Sequence, residues 1–151
     1  MNRFEELARW IRDEHLKVIE LSNGLRGRTA VVPRANIGAW LAEVRGRFEH
    51  FRAHMTRHMA LEERDGYLPI VLERRPGLSA QLERIRHEHQ EFLRLMTGIH
   101  TALLDTGDDD RLLVRDGCRR IEDLLSYVEH HEELENNMLL SVCAEDIGTK
   151  D

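Results

Sequence analysis

Residues 121–138 read IEDLLSYVEHHEELENNM, and the fold follows from where the polar residues fall in this stretch. Apolar side chains recur at Ile121, Leu124 and Val128. The same alternation of three- and four-residue steps then lands on His131 and Glu135 before resuming at Met138 and Val142. Such steps keep side chains on one face of an α-helix and mark a buried seam. A histidine and a glutamate therefore occupy core positions of a helix.

Working outward, the rest of the chain repeats the arrangement. The series Ile37, Leu41, Val44, Phe48, Phe51 and Met55 leads by the same steps to His58 and Glu62. Leu78, Leu82 and Ile85 lead to His89, and the seam continues through Phe92, Met96, Ile99 and Leu103. In the first segment Leu7, Ile11, Val18, Leu21 and Leu25 define the seam, with His15 one turn after Ile11. A lone histidine followed by His-x-x-x-Glu thus occurs twice, and the separations 15 to 58 and 89 to 131 differ by one residue. At about 100° per residue, His87, His130, His50 and His100 fall off their seams. His54, about 40° from His58, is the one kept as an outer residue beside the set.

Four imidazoles and two carboxylates converging inside a bundle have the composition of a dinuclear metal site. A single core histidine is usually just a hydrogen-bonded one, and His-x-x-x-Glu alone is an ordinary surface pair. Charge separates the readings: an unpaired carboxylate in a dry core costs several kcal/mol. No lysine or arginine occupies a neighbouring seam position in segments two to four to neutralise Glu62 and Glu135. Metal cations supply that charge, so His15, His58, Glu62, His89, His131 and Glu135 are the expected ligands.

Composition fits one domain over residues 1–151. The chain is 33% charged and only 5% aromatic, which suits a solvated helical bundle better than a sheet. A net charge of −6, with no basic stripe carrying interleaved aromatics, argues against nucleic acid as a partner. No apolar run approaches the roughly 20 residues that span a bilayer, and no signal-peptide pattern opens the sequence. Cys118 and Cys143 form no Cys-x-x-Cys pair and read as reduced thiols, so the expected location is cytoplasmic. Turn residues place helices at about 3–25, 36–64, 79–105 and 109–143, with a loop over 26–36, a break at Asp65-Gly66 and a short appended turn or helix over 67–75. Short connections make successive helices antiparallel, giving an all-α, up-down-up-down four-helix bundle.

The order of these motifs resembles the hemerythrin-like, or HHE cation-binding, domain family. The matching pieces are Asp13-Glu14-His15, His58-Met59-Ala60-Leu61-Glu62-Glu63 with Gly66-Tyr67-Leu68, His87-Glu88-His89, and His131 to Asn136. The resemblance implies a non-haem di-iron centre, with Glu62 and Glu135 bridging the two Fe ions and the four histidines as terminal ligands. Oxygen-carrying hemerythrins add a fifth histidine in a His-x-x-x-His pair, whereas Leu93 and Ile85 stand four residues either side of His89. The four-His, two-Glu pattern is closer to the di-iron domain of iron–sulfur centre repair proteins.

Coordination arithmetic bears on function. Two octahedral metals offer twelve positions. Four imidazoles, two bridging carboxylates and one oxo or hydroxo bridge fill ten of them; a fifth histidine would leave only one open. Imidazole and carboxylate suit Fe or Mn, and Zn can also occupy such a site. The ferritin-type Glu-x-x-His and the protease-type His-Glu-x-x-His spacings are absent. The expected role is binding or sensing of O2 or NO, or iron handling. The alternative is a di-iron enzyme acting on NO or peroxide, or delivering iron for iron–sulfur centre repair. The sequence identifies no redox partner.

Overall fold

The computed structural model describes residues 2–64 and 66–149, excepting the side chains of 146–149. Its helices are α1 (Arg3–Thr29), α2 (Ile37–Arg64), α3 (Tyr67–Arg74), α4 (Ser79–Asp105) and α5 (Arg111–Thr149), with a 3-10 turn at Pro76–Leu78 between α3 and α4. The four long helices form a ring in which α1 packs on α2 and α5, and α4 packs on the same two. Successive helices run antiparallel: Arg28 at the end of α1 pairs with Glu43 near the start of α2, while Glu14 further back meets His58 near its end. No strand occurs among the described residues. The all-α bundle expected from the seams is the observed fold.

Asn2 starts α1, accepting the Glu5 amide while the Glu5 side chain returns to the Asn2 amide, which satisfies two donors with no intrahelical partner. The helix does not stop near Gly24 and Gly27. Leu25 and Thr29 stay buried on the seam, and that packing outweighs a glycine cost of about 1 kcal/mol each. The loop is correspondingly short. Asn36, at φ 57°, makes the left-handed turn into α2, a conformation its short polar side chain tolerates. α5 starts after Asp110, whose carboxylate accepts the Gly107 amide and whose carbonyl accepts the Val114 amide. It runs past 143 because no breaker precedes Gly148 and Val142 is buried.

Two apolar clusters fill the ring. The larger spans all four long helices around Phe48, Phe51, Met96 and Ile121. The smaller gathers Phe4, Ile11, Leu82 and Met138 under α3, whose Tyr67, Leu68 and Val71 have no exposed surface. Fully burying one such side chain contributes roughly 1.5–3 kcal/mol. α3 is therefore a lid packed onto one end of the bundle. Asp65, expected to share the break after α2 with Gly66, lies outside the described residues.

The chain turns into α3 at Gly66, where a Cβ atom would stand 2.5 Å from the Leu61 carbonyl oxygen and 2.6 Å from the Glu62 Cα. Both are backbone atoms and cannot swing aside. Gly66→Ala should destabilise the protein by about 1–3 kcal/mol in urea or thermal unfolding. Gly46→Ala, on an exposed face of α2 with nothing near its Cβ, should stabilise it by roughly 0.5–1 kcal/mol.

Candidate metal centre

The six seam residues meet between the two apolar clusters. His15 comes from α1, His58 and Glu62 from α2, His89 from α4, and His131 and Glu135 from α5. None exposes more than 2% of its surface. His58 Nε2 stands 2.5 Å from Glu62 Oε1, and His131 Nε2 stands 2.5 Å from Glu135 Oε1. His89 Nε2 lies 4.0 Å from Glu62 Oε1 and 3.9 Å from Glu135 Oε1. Ligand atoms of His89, His131 and Glu135 lie within 4.8 Å of one another, and so do those of His15, Glu62 and Glu135. Each set can hold a cation.

The outward nitrogens face a belt of neighbours, hydrogen-bonded at His15 and His131 and only charge-paired at His89 and His58. His15 Nδ1 is 2.8 Å from Asn136 Oδ1 and His131 Nδ1 is 2.7 Å from Glu88 Oε1. His89 Nδ1 lies 3.4 Å from Glu63 Oε2, and His58 Nδ1 lies 3.6 Å from Glu14 Oε2. Every partner comes from an adjacent helix. An oxygen outside each ring favours the tautomer with the proton on Nδ1 and leaves the Nε2 lone pair facing the centre. His54, the expected outer residue, is buried with Nε2 3.2 Å from Glu14 Oε2. His50, His87 and His130 are exposed, and His100 is half-buried against Glu49, as their helical phase requires.

Inside the belt the polar atoms crowd one another without well-aligned hydrogen bonds. Nε2 of all four histidines, both Glu62 oxygens and Glu135 Oε1 are buried without an aligned hydrogen bond. Atoms so placed lose their hydration and are only partly compensated by one another. A cation accepting those lone pairs relieves the whole layer at once, so the donor set fits a metal.

The electrostatics agree. Burial drives the His58 imidazole down to about 3, and it also lowers His15 and His54. Burial, then the facing charge of Glu135, pushes Glu62 well above the usual carboxylate range. Burial acts on Glu135 in the same sense, but hydrogen bonds from Glu62, His131 and His89 hold it well below that range. The pair thus retains one proton. Burial opposes charge on His131 too, yet its contacts with Glu135 and Glu88 raise it.

Two inward residues lie off the expected set. Tyr67, the first residue of the lid, donates its hydroxyl to Glu135. Glu132 is only 4% exposed, and burial followed by the charge of Glu135 pushes it up to about 9. Its carboxylate falls within 4.8 Å of ligand atoms of His15 and His58. Sequence phase missed it because it stands about 100° from His131, on the flank facing α1. The belt residues carried a usable signal: the repeat taking His15 to His89 and His58 to His131 also takes Glu14 to Glu88 and Glu63 to Asn136.

A family model described as the hemerythrin HHE cation binding domain matches residues 6–143. The chain belongs to this family, and its centre is that of a cation-binding domain. Comparison with curated proteins and with solved structures returned no match.

Metal-free protein should show a stability maximum in pH. Burial lowers His15, His54 and His58 in the folded state, so as pH falls below the unfolded histidine value near 6.5 the unfolded chain gains protons first and stability falls. Glu62 and Glu132 act oppositely: their contribution is complete below the unfolded value near 4.5 and is lost as pH rises through the raised folded values. His131 adds to that loss above about 6.5. With chelator present, the melting temperature should peak at about pH 6–7 and decline on both sides, by up to roughly 1.4 kcal/mol per pH unit per group. Glu132→Gln should flatten the alkaline limb.

Proposed function

We propose that this chain carries a dinuclear non-haem iron centre that binds a small ligand, O2 or NO, in a sensing or iron-handling role. One observation supports it above the others: Glu62 and Glu135 sit between two histidine pairs, His15 with His58 and His89 with His131. Glu62 lies near nitrogens from both pairs, and Glu135 groups with His15 on one side and with His89 and His131 on the other. Two carboxylates between two imidazole pairs could each be shared by two cations, one held with His15 and His58 and the other with His89 and His131.

Iron bound there supplies an exchangeable coordination position and reversible one-electron chemistry. The protein's part is to orient and to exclude. Asn136 and Glu88 hold the tautomers of His15 and His131 by hydrogen bonds, Glu14 and Glu63 place a negative charge 3.6 and 3.4 Å from Nδ1 of His58 and His89, and Tyr67 fixes the Glu135 oxygen it donates to. The apolar clusters on both sides keep bulk water out, which strengthens every electrostatic contact within.

Anaerobic loading with ferrous iron should give two ions per chain, and the optical spectrum should change on adding O2 or NO. His131→Ala should cut the loading to about one ion or fewer, while His130→Ala, roughly 100° away on an exposed face, should leave it intact. Removing the iron should lower stability by about 4 kcal/mol relative to a thousandfold excess over the dissociation constant. Equal losses from the two variants, or a spectrum indifferent to both gases, would refute the reading.

A further inference from the structure

The two halves of the centre are related by the sequence repeat, and Glu132 breaks the relation. The register taking His58 to His131 and Glu62 to Glu135 takes Met59 to Glu132. Both residues are buried, but one is a thioether and the other a carboxylate. Glu132 Oε1 has no hydrogen-bond partner, no ion pair reaches Glu132 among the described residues, and the carboxylate lies within ligand distance of His15 and His58. Buried carboxylates persist when they are paired or coordinate a metal. Here the ligand atoms of His15 and His58 lie within 4.8 Å of the carboxylate and of one another.

We infer that Glu132 is a seventh ligand, a terminal carboxylate on the cation held by His15 and His58, which makes the centre asymmetric. This rests on the dinuclear reading. The cation between His15 and His58 then gains a terminal ligand that its counterpart lacks. The exchangeable position therefore lies on the His89 and His131 side. That side backs onto a cleft of about 560 Å³ between α4 and α5, whose wall includes Glu88, the residue that holds His131. By coordination count, Glu132 takes the place left by the missing fifth histidine, from a different helix and on the opposite metal-binding pair from Leu93.

The test uses the full chain loaded anaerobically with ferrous iron. Glu132→Gln keeps the shape; Glu132→Met installs the residue found at the repeat-related position; Glu133→Gln alters an exposed neighbour. Iron affinity is read by competition with a chelator, the two iron environments by Mössbauer spectroscopy, and open positions by azide titration of the oxidised protein. Wild type and Glu133→Gln should bind two ions in unequal environments and one azide. Glu132→Gln and Glu132→Met should weaken one ion by more than roughly tenfold while sparing the other. Glu132→Met, with both ions bound at saturating iron, should give more nearly equal environments and a second azide. Two ions with unchanged affinity, spectrum and azide count in both variants would overturn the seventh ligand alone. A folded wild type that takes up fewer than two ions would overturn the dinuclear reading and this proposal with it. Far-ultraviolet circular dichroism confirms that each variant is folded.

Discussion

Two glutamates without exposed surface face each other at the centre of a bundle in which no lysine or arginine is buried among the described residues. Everything around them answers that charge. One proton stays on the pair, four imidazoles turn their Nε2 atoms toward it, and a tyrosine hydroxyl reaches in from the lid. In a low-dielectric interior such groups are either fully satisfied or very costly. A bound cation would satisfy the layer, and its binding would then be part of the folding free energy.

The same layer fixes the register of the helices. The apolar clusters on either side are built from interchangeable hydrophobic contacts that tolerate repacking. The polar layer does not. Glu14 on α1 reaches His58 on α2, Glu63 on α2 reaches His89 on α4, Glu88 on α4 reaches His131 on α5, and Asn136 on α5 returns to His15 on α1. A slip of one turn by any helix breaks two links of this closed circuit and buries the freed groups without partners. A single buried polar position can specify register in a coiled coil at a cost in stability. Here a ring of them does so.

Seam arithmetic was enough to read the bundle and the convergence of the six inward residues, because a polar residue on a buried stripe is an anomaly visible in one dimension. The rest depended on neighbours in space. Glu14, Glu63, Glu88 and Asn136 sit off the seams, and only the packing of adjacent helices turns them toward an imidazole. Tyr67 reaches the centre because the backbone closes tightly at Gly66, which no periodicity encodes. The end of α1 lies beyond the expected residue 25 for a related reason: Leu25 and Thr29 still have a core to fill, and that packing carries the helix through Gly24 and Gly27.

Glu132 and Asn136 together show how far the two halves have diverged. In the half containing His89 and His131, both outer partners, Glu63 and Glu88, are carboxylates. In the other half the partner of His15 is the neutral amide of Asn136, and only Glu14 is acidic. An imidazole backed by a carboxylate is the stronger donor, so the amide weakens this side. Glu132 returns the missing negative charge but places it inside the layer, where it faces the cation site directly. Each half then carries two carboxylates besides the shared pair. What differs is their distance from the centre, and on the dinuclear proposal that difference would close one cation site and leave the other accessible.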